Sequence, residues 1–162
     1  MKKILLILFI VLPAYLIISL YYLDKSYFLC PIEYQRDIII RFDNRGNGLF
    51  GAGRNGNRLH QGIDLYAGIG TPVLASRWGK VVVARHSRGM GNYIIIRHPG
   101  NITTIYGHLS RIYVNKDAFV RQGQIIAAVG KTGNANYRDI QPHLHFEVKK
   151  AGIPQEPLEY LE

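Results

Sequence analysis

The chain of 162 residues carries 20 Lys plus Arg against 11 Asp plus Glu, a formal charge of +9, with 48% hydrophobic residues and a single cysteine. That length holds one domain with a real core, the lone cysteine excludes an internal disulfide framework, and the basic balance favours anionic partners. No Lys/Arg-rich block or zinc-finger cysteine spacing accompanies the charge, so nucleic acid is not an expected partner.

In chain order, residues 4–23 contain no charged side chain, enough for about 30 Å of helix, the thickness of a bilayer core. Lys2 and Lys3 precede this run, which predicts residues 1–3 in the cytoplasm, a single-pass anchor over 4–23 in the cell (inner) membrane, and the remainder on the extracytoplasmic or periplasmic side. Pro13 is expected to kink the span. The run is longer than a secretory h-region and no small-x-small cleavage pattern follows it, favouring an uncleaved anchor. Cys30 follows the bulky Leu29, unlike a lipoprotein attachment site. Residues 24–35 read as a stalk and 36–162 as the folded domain.

The lead-in "RFDNRGNGLFGAGRNGNR" (residues 41–58) is too rich in Gly and Asn for a helix and reads as loop. Beyond Leu59 come short β-branched runs, "KVVVARH", "NYIIIRH", "ITTIYGHL", "QIIAAVG" and "HLHFEV", separated by turn signals such as "PGN" and "GNAN". They predict a mostly β domain of antiparallel strands and tight hairpins.

Polar chemistry gathers at five positions: His60 and Asp64 in "HQGIDL", His108 in "YGHLS", and His143 and His145 in "PHLHFEV". On a strand, His143 and His145 share one face and Leu144 and Phe146 the other, so the two imidazoles can serve one site about 6.6–6.8 Å apart along the backbone. Two imidazoles and a carboxylate form a common catalytic zinc set that leaves a position open for solvent, and nitrogen donors favour zinc over calcium or magnesium. The remaining histidines could then move protons or stabilise developing charge. A nucleophile mechanism lacks its parts, because no Gly-x-Ser-x-Gly elbow is present and the one cysteine lies beside the apolar run. Nor does a Walker loop occur.

The segments "HQGID", "YGHLS" and "VGKTGNANYRDIQPHLHFEV", with the connecting strands between them, resemble the M23 (LytM/lysostaphin-like) zinc metallopeptidases over roughly His60 to Val148. The resemblance implies a compact antiparallel β-sheet fold with a groove. It also implies one Zn²⁺ per chain on His60, Asp64 and His145, with His108 and His143 as the catalytic pair. The expected activity is cleavage of peptidoglycan stem peptides or cross-bridges; the alternative is a non-catalytic wall-binding module or activator of another hydrolase, whose mark is loss of ligands. Staphylolytic members carry a tyrosine shortly before the first ligand, which is absent here, so Arg54 or Arg58 is the candidate replacement. Asn92, Tyr106 and Thr132 are candidate groove-lining residues, with ordinary strand packing or turn hydrogen bonding as the competing reading. His86 and His98 are expected to cap strand ends.

Overall fold

The computed structural model describes residues 11–15, 27–54 and 56–161. Residues 11–15 are helical; the rest of the expected 4–23 anchor lies outside the described residues, and among these no helix is long and apolar enough to cross a membrane.

The domain is built from short strands, as the β-branched runs require. They are β1 (Phe42–Asp43), β2 (Gly46–Asn47), β3 (Gly53–Arg54), β4 (Arg58–Leu59), β5 (Ile63–Tyr66), β6 (Pro72–Leu74) and β7 (Gly79–Ser87). There follow β8 (Gly91–His98), β9 (Ile102–Leu109), β10 (Arg111–Ile112), β11 (Phe119–Val120), β12 (Ile125–Ala128), β13 (His143–Lys150) and β14 (Ile153–Gln155). The main sheet has seven strands in the order β11-β7-β8-β9-β13-β14, with β5 also paired to β13. A second sheet, β10-β12-β6, packs against it, and one apolar cluster draws Ile94, Ile96, Leu144 and Phe146 from the first and Val73, Ile126 and Ala127 from the second. The predicted "PGN" turn joins β8 to β9, with Gly100 (φ 77°) and Asn101 (φ 58°) in the left-handed region that these residue types tolerate.

Two expectations need correction. The lead-in is not plain loop: β1 pairs with β2 and β3 with β4, so Gly- and Asn-rich sequence makes two tiny hairpins lying over the main sheet. The described part of the expected stalk is not a free tether either. Phe28 and Ile32 are buried in the core, Leu29 N–H donates to Ser76 O, and Phe28 bridges in parallel to Leu161. Phe28, Pro31 and Ile32 bury themselves against the domain, because exposure would forfeit their transfer free energy.

Strand β13 positions the site. Leu144, Phe146 and Val148 enter the core from one face, while His143, His145 and Glu147 occupy the other and are buried there too. An alternating pattern ordinarily means one solvated face. Here the lead-in hairpins cover that second face, which is why polar side chains are buried on it.

Candidate metal centre

In the register of β13, His145 lies directly opposite Asp64 of β5 on one side and Gly107 of β9 on the other. Ile63 and Leu65 flank Asp64 and point into the core, so alternation alone delivers the carboxylate to the histidine face. Gly107 leaves room on the far side: a Cβ there would sit 2.9 Å from Met90 Cε and 3.4 Å from His145 Cβ.

His108 arrives by a different route. Tyr106 of the same strand is a core residue, so continued alternation would send His108 into the core as well. A register shift between Asn92 and Ile94 on β8 marks a bulge, and His108 itself takes φ 60°, an uncommon conformation for a non-glycine residue. The bulge re-aims the imidazole across the sheet, and His108 and His143 meet with ring centroids 5.0 Å apart. Asn92 and Thr132 hold this turn in place. Thr132 Oγ1 accepts from Asn92 N–H and donates to Leu109 O, both at 2.9 Å, and Asn92 Nδ2 donates to the same carbonyl. Gly91 permits the close approach, since a Cβ there would fall 2.2 Å from Thr132 Oγ1.

Every imidazole of the centre has one nitrogen committed to a fixed acceptor. His60 Nδ1 donates to Leu49 O at 2.9 Å, His108 Nδ1 to Thr132 O at 2.9 Å, and His143 Nδ1 to Gln141 O at 2.7 Å. His145 is turned the other way, with Nε2 2.9 Å from Glu147 Oε1. The nitrogens left over converge: His60 Nε2 and His145 Nδ1 lie 3.1 and 2.9 Å from Asp64 Oδ1, and His143 Nε2 lies 3.8 Å from it. Asp64 Oδ2 is held from behind by Arg41 Nη2 at 3.0 Å and Arg54 Nη2 at 3.1 Å. Ligand atoms of His60, Asp64 and His145 all lie within 4.8 Å of one another. Two nitrogens and one oxygen, each backed by a hydrogen bond that fixes its orientation, fit a zinc ion.

Glu147 escaped the sequence reading, although the signal was available: it is two residues past His145, on the same strand face. Its second oxygen lies 3.0 Å from Lys149 Nζ, an ion pair without hydrogen-bond alignment. Tyr106, a candidate either for the groove or for strand packing, is fully buried, its hydroxyl accepting from Ser76 N–H at 3.0 Å and from Thr104 Oγ1 at 3.1 Å. Asn92 and Thr132 act on His108 as just described. Arg54 orients Asp64, and Arg58 and Leu59 stand on the wall of an open groove of about 910 Å³ that also holds Phe50, Tyr137 and Ile140. His98 bonds Trp78 O and Thr104 Oγ1, away from the centre, and His86 bonds Asn92 Oδ1.

The electrostatics follow from the packing. Burial opposes ionisation of Asp64, yet the His145 hydrogen bond and the neighbouring His60 and His143 outweigh it and hold the carboxyl well below its usual range. Burial likewise opposes a charged His145, but the bonds to Asp64 and Glu147 carry it up to about 9. His108 is pushed down to about 3 by burial and by the neighbouring His145 and His143. Burial also lowers His143. Both therefore present an unprotonated Nε2 at neutral pH.

Without metal, His145 is protonated between two carboxylates, and its raised pKa stabilises the fold fully below about 6.5, the unfolded value. That contribution is lost as pH rises through about 9. Denaturant unfolding of chelator-treated protein should thus show stability declining across this window. Zinc must displace the Nδ1 proton, so its apparent affinity should weaken as pH falls below about 9. Competition titration against a chromophoric chelator reads the slope; a pH-independent affinity contradicts the ligand assignment.

A sheet-borne His–Asp–His cluster at the floor of a groove, flanked by two further histidines, defines the class of a metal-dependent hydrolase centre. The model of Peptidase family M23 matches residues 58–157, and the chain belongs to that family. A lipoprotein NlpD/LppB homolog of Pseudomonas aeruginosa is 39% identical over 114 residues, covering 70% of this chain and 37% of its own length. DD-carboxypeptidase/endopeptidase Mpg of Neisseria meningitidis is 42% identical over 101 residues, 62% of this chain and 22% of its own length. A zinc-containing peptidase from Vibrio cholerae has a crystal structure similar at TM-score 0.66 and 34% identity, over 82% of this chain and 39% of that one. This chain thus spans well under half the length of each of these relatives.

Proposed function

We propose that the protein is a zinc endopeptidase that cleaves peptide bonds in peptidoglycan stem peptides or cross-bridges, held at the outer face of the cell membrane by residues 4–23. The observation that carries this reading is the ligand atoms of His60, Asp64 and His145 gathered at the floor of an open groove, with His143 Nε2 3.8 Å from Asp64 Oδ1. A non-catalytic module has no need of it. The uncharged apolar run behind Lys2 and Lys3 supports the anchor, and similarity to a peptidoglycan DD-endopeptidase of Vibrio cholerae, 45% identical over 89 residues, supports the substrate.

His60 Nε2, Asp64 Oδ1 and His145 Nδ1 hold the zinc. When bound, the ion supplies Lewis-acid polarisation of the scissile carbonyl and makes a water acidic enough to lose a proton near neutral pH. His108 and His143 present basic Nε2 atoms, fixed by Thr132 O and Gln141 O. One takes the proton of the attacking water and returns it to the leaving amide nitrogen. While protonated it offers its N–H to the charge developing on the carbonyl oxygen. Arg41 and Arg54 keep Asp64 oriented throughout.

Incubation of the protein with purified peptidoglycan, followed by mass spectrometry of the soluble fragments, should reveal new amine termini whose release stops on chelation. Intact peptides after digestion with fully zinc-loaded protein would overturn the reading.

A further inference from the structure

We propose that Asp43, which lies outside the segment matched to the family, is a positioning residue that ties the ligand carboxylate Asp64 to the histidine His143. The functional part of this claim rests on the zinc-peptidase reading; the structural part does not.

The Asp43 side chain is 7% exposed and stands between two branches. Its Oδ1 accepts from Arg41 Nη1 and from Arg45 N–H, the latter at 2.9 Å, and its Oδ2 accepts from Gln141 N–H at 2.9 Å. Along the first branch, Arg41 is nearly buried and donates from Nε and Nη2 to Asp64 Oδ2 at 3.3 and 3.0 Å. A guanidinium is a rigid planar fork. With Asp43 gripping Nη1, the fork can present only one edge to Asp64, which turns Oδ1 toward His60 and His145.

Along the second branch, the same residue whose N–H is held by Asp43 uses its carbonyl to accept the His143 Nδ1 proton at 2.7 Å. Pro142 follows Gln141 and restricts it to extended backbone, so fixing one end of Gln141 fixes the other. Asp43 thereby sets the tautomer of His143 from outside the centre. It also balances charge, because Arg41 and Arg54 both converge on Asp64. Without Asp43, two guanidinium groups share one carboxylate.

The lead-in is therefore part of the centre as well as its cover. Besides Arg41, Asp43 and Arg54, it supplies Leu49 O to His60. Gly48 packs so tightly that a Cβ there would fall 2.8 Å from Asp64 Cβ.

The test compares Asp43→Ala and the near-isosteric Asp43→Asn with the wild type in the full-length chain. Zinc affinity is measured by competition, and the His143 tautomer by the ¹⁵N shifts of its ring in metal-free protein. Outer partners of metal ligands typically contribute 10–100-fold in affinity. We expect about tenfold weaker zinc binding for Ala, a smaller loss for Asn, and a mixture of His143 tautomers in place of the single Nδ1–H form. On peptidoglycan, kcat should fall with KM nearly unchanged. Wild-type zinc affinity and a single tautomer in both variants, with only the melting temperature lowered, would reduce Asp43 to a structural residue and overturn the proposal. Absence of peptidoglycan turnover in the wild type, with the affinity and tautomer changes present, would sink the proposed function and leave the coupling standing.

Discussion

Asp64→Ala should abolish stoichiometric zinc binding and peptidoglycan hydrolysis together. Asp64 contributes the single anionic ligand, and its Oδ1 lies within 3.1 Å of His60 Nε2 and 2.9 Å of His145 Nδ1. The substitution also strips Arg54 and Arg41 of the carboxylate they share. Breaking a buried ion pair from one side costs about 3–5 kcal/mol, because the remaining charge stays desolvated. Arg41 keeps Asp43, so the lower end of that range is expected. Asp64→Asn separates the two effects: it preserves shape and an acceptor oxygen but removes the charge that zinc needs. Metal analysis, calorimetry and peptidoglycan digestion on both variants provide the check. Full zinc occupancy in Asp64→Ala would place the ion elsewhere.

His108→Ala and His143→Ala should each lower kcat by about 10²–10⁴, the usual contribution of a positioned general acid–base, while retaining zinc. Neither residue belongs to the three-residue cluster whose donor atoms converge. Both have depressed pKa values, His108 to about 3, so both act from the neutral form across ordinary pH. If they serve one proton path, the double variant will be little worse than the poorer single one, since residues acting as a unit are non-additive. Steady-state kinetics with a defined stem-peptide substrate and parallel zinc analysis provide the measurement. Loss of metal in His108→Ala would show it to be a ligand.

How legible this centre was in the sequence depended on whether strand alternation carried the residue there. Alternation is a local rule, so His143 and His145 on one face, and Asp64 between two core residues, could be read directly. The β-branched runs and the "PGN" turn gave the strands and a hairpin for the same reason. His108 obeys no such rule. It reaches the site through a bulge and a left-handed backbone conformation, and nothing in "YGHLS" encodes which face it takes. Of its two open readings Tyr106 takes strand packing, since the bulge separates its face from that of His108. Asn92 and Thr132 take the turn-hydrogen-bonding alternative, supporting the backbone beneath His108.

The lead-in was the least legible part. Its composition signals turns, and two-residue strands leave no periodicity to detect. What gives this segment its role is a set of contacts across long stretches of chain: Arg41 to Asp64, Asp43 to Gln141, and Leu49 O to His60. Glu147, by contrast, could have been found by extending the alternation of His143 and His145 by one more step.

Elemental analysis of the protein, purified without chelators and calibrated against amino-acid content, tests the metal centre most directly. One zinc per chain is the result expected here, falling to none in Asp64→Ala. Protein that is folded, active on peptidoglycan and free of any transition metal would contradict the account.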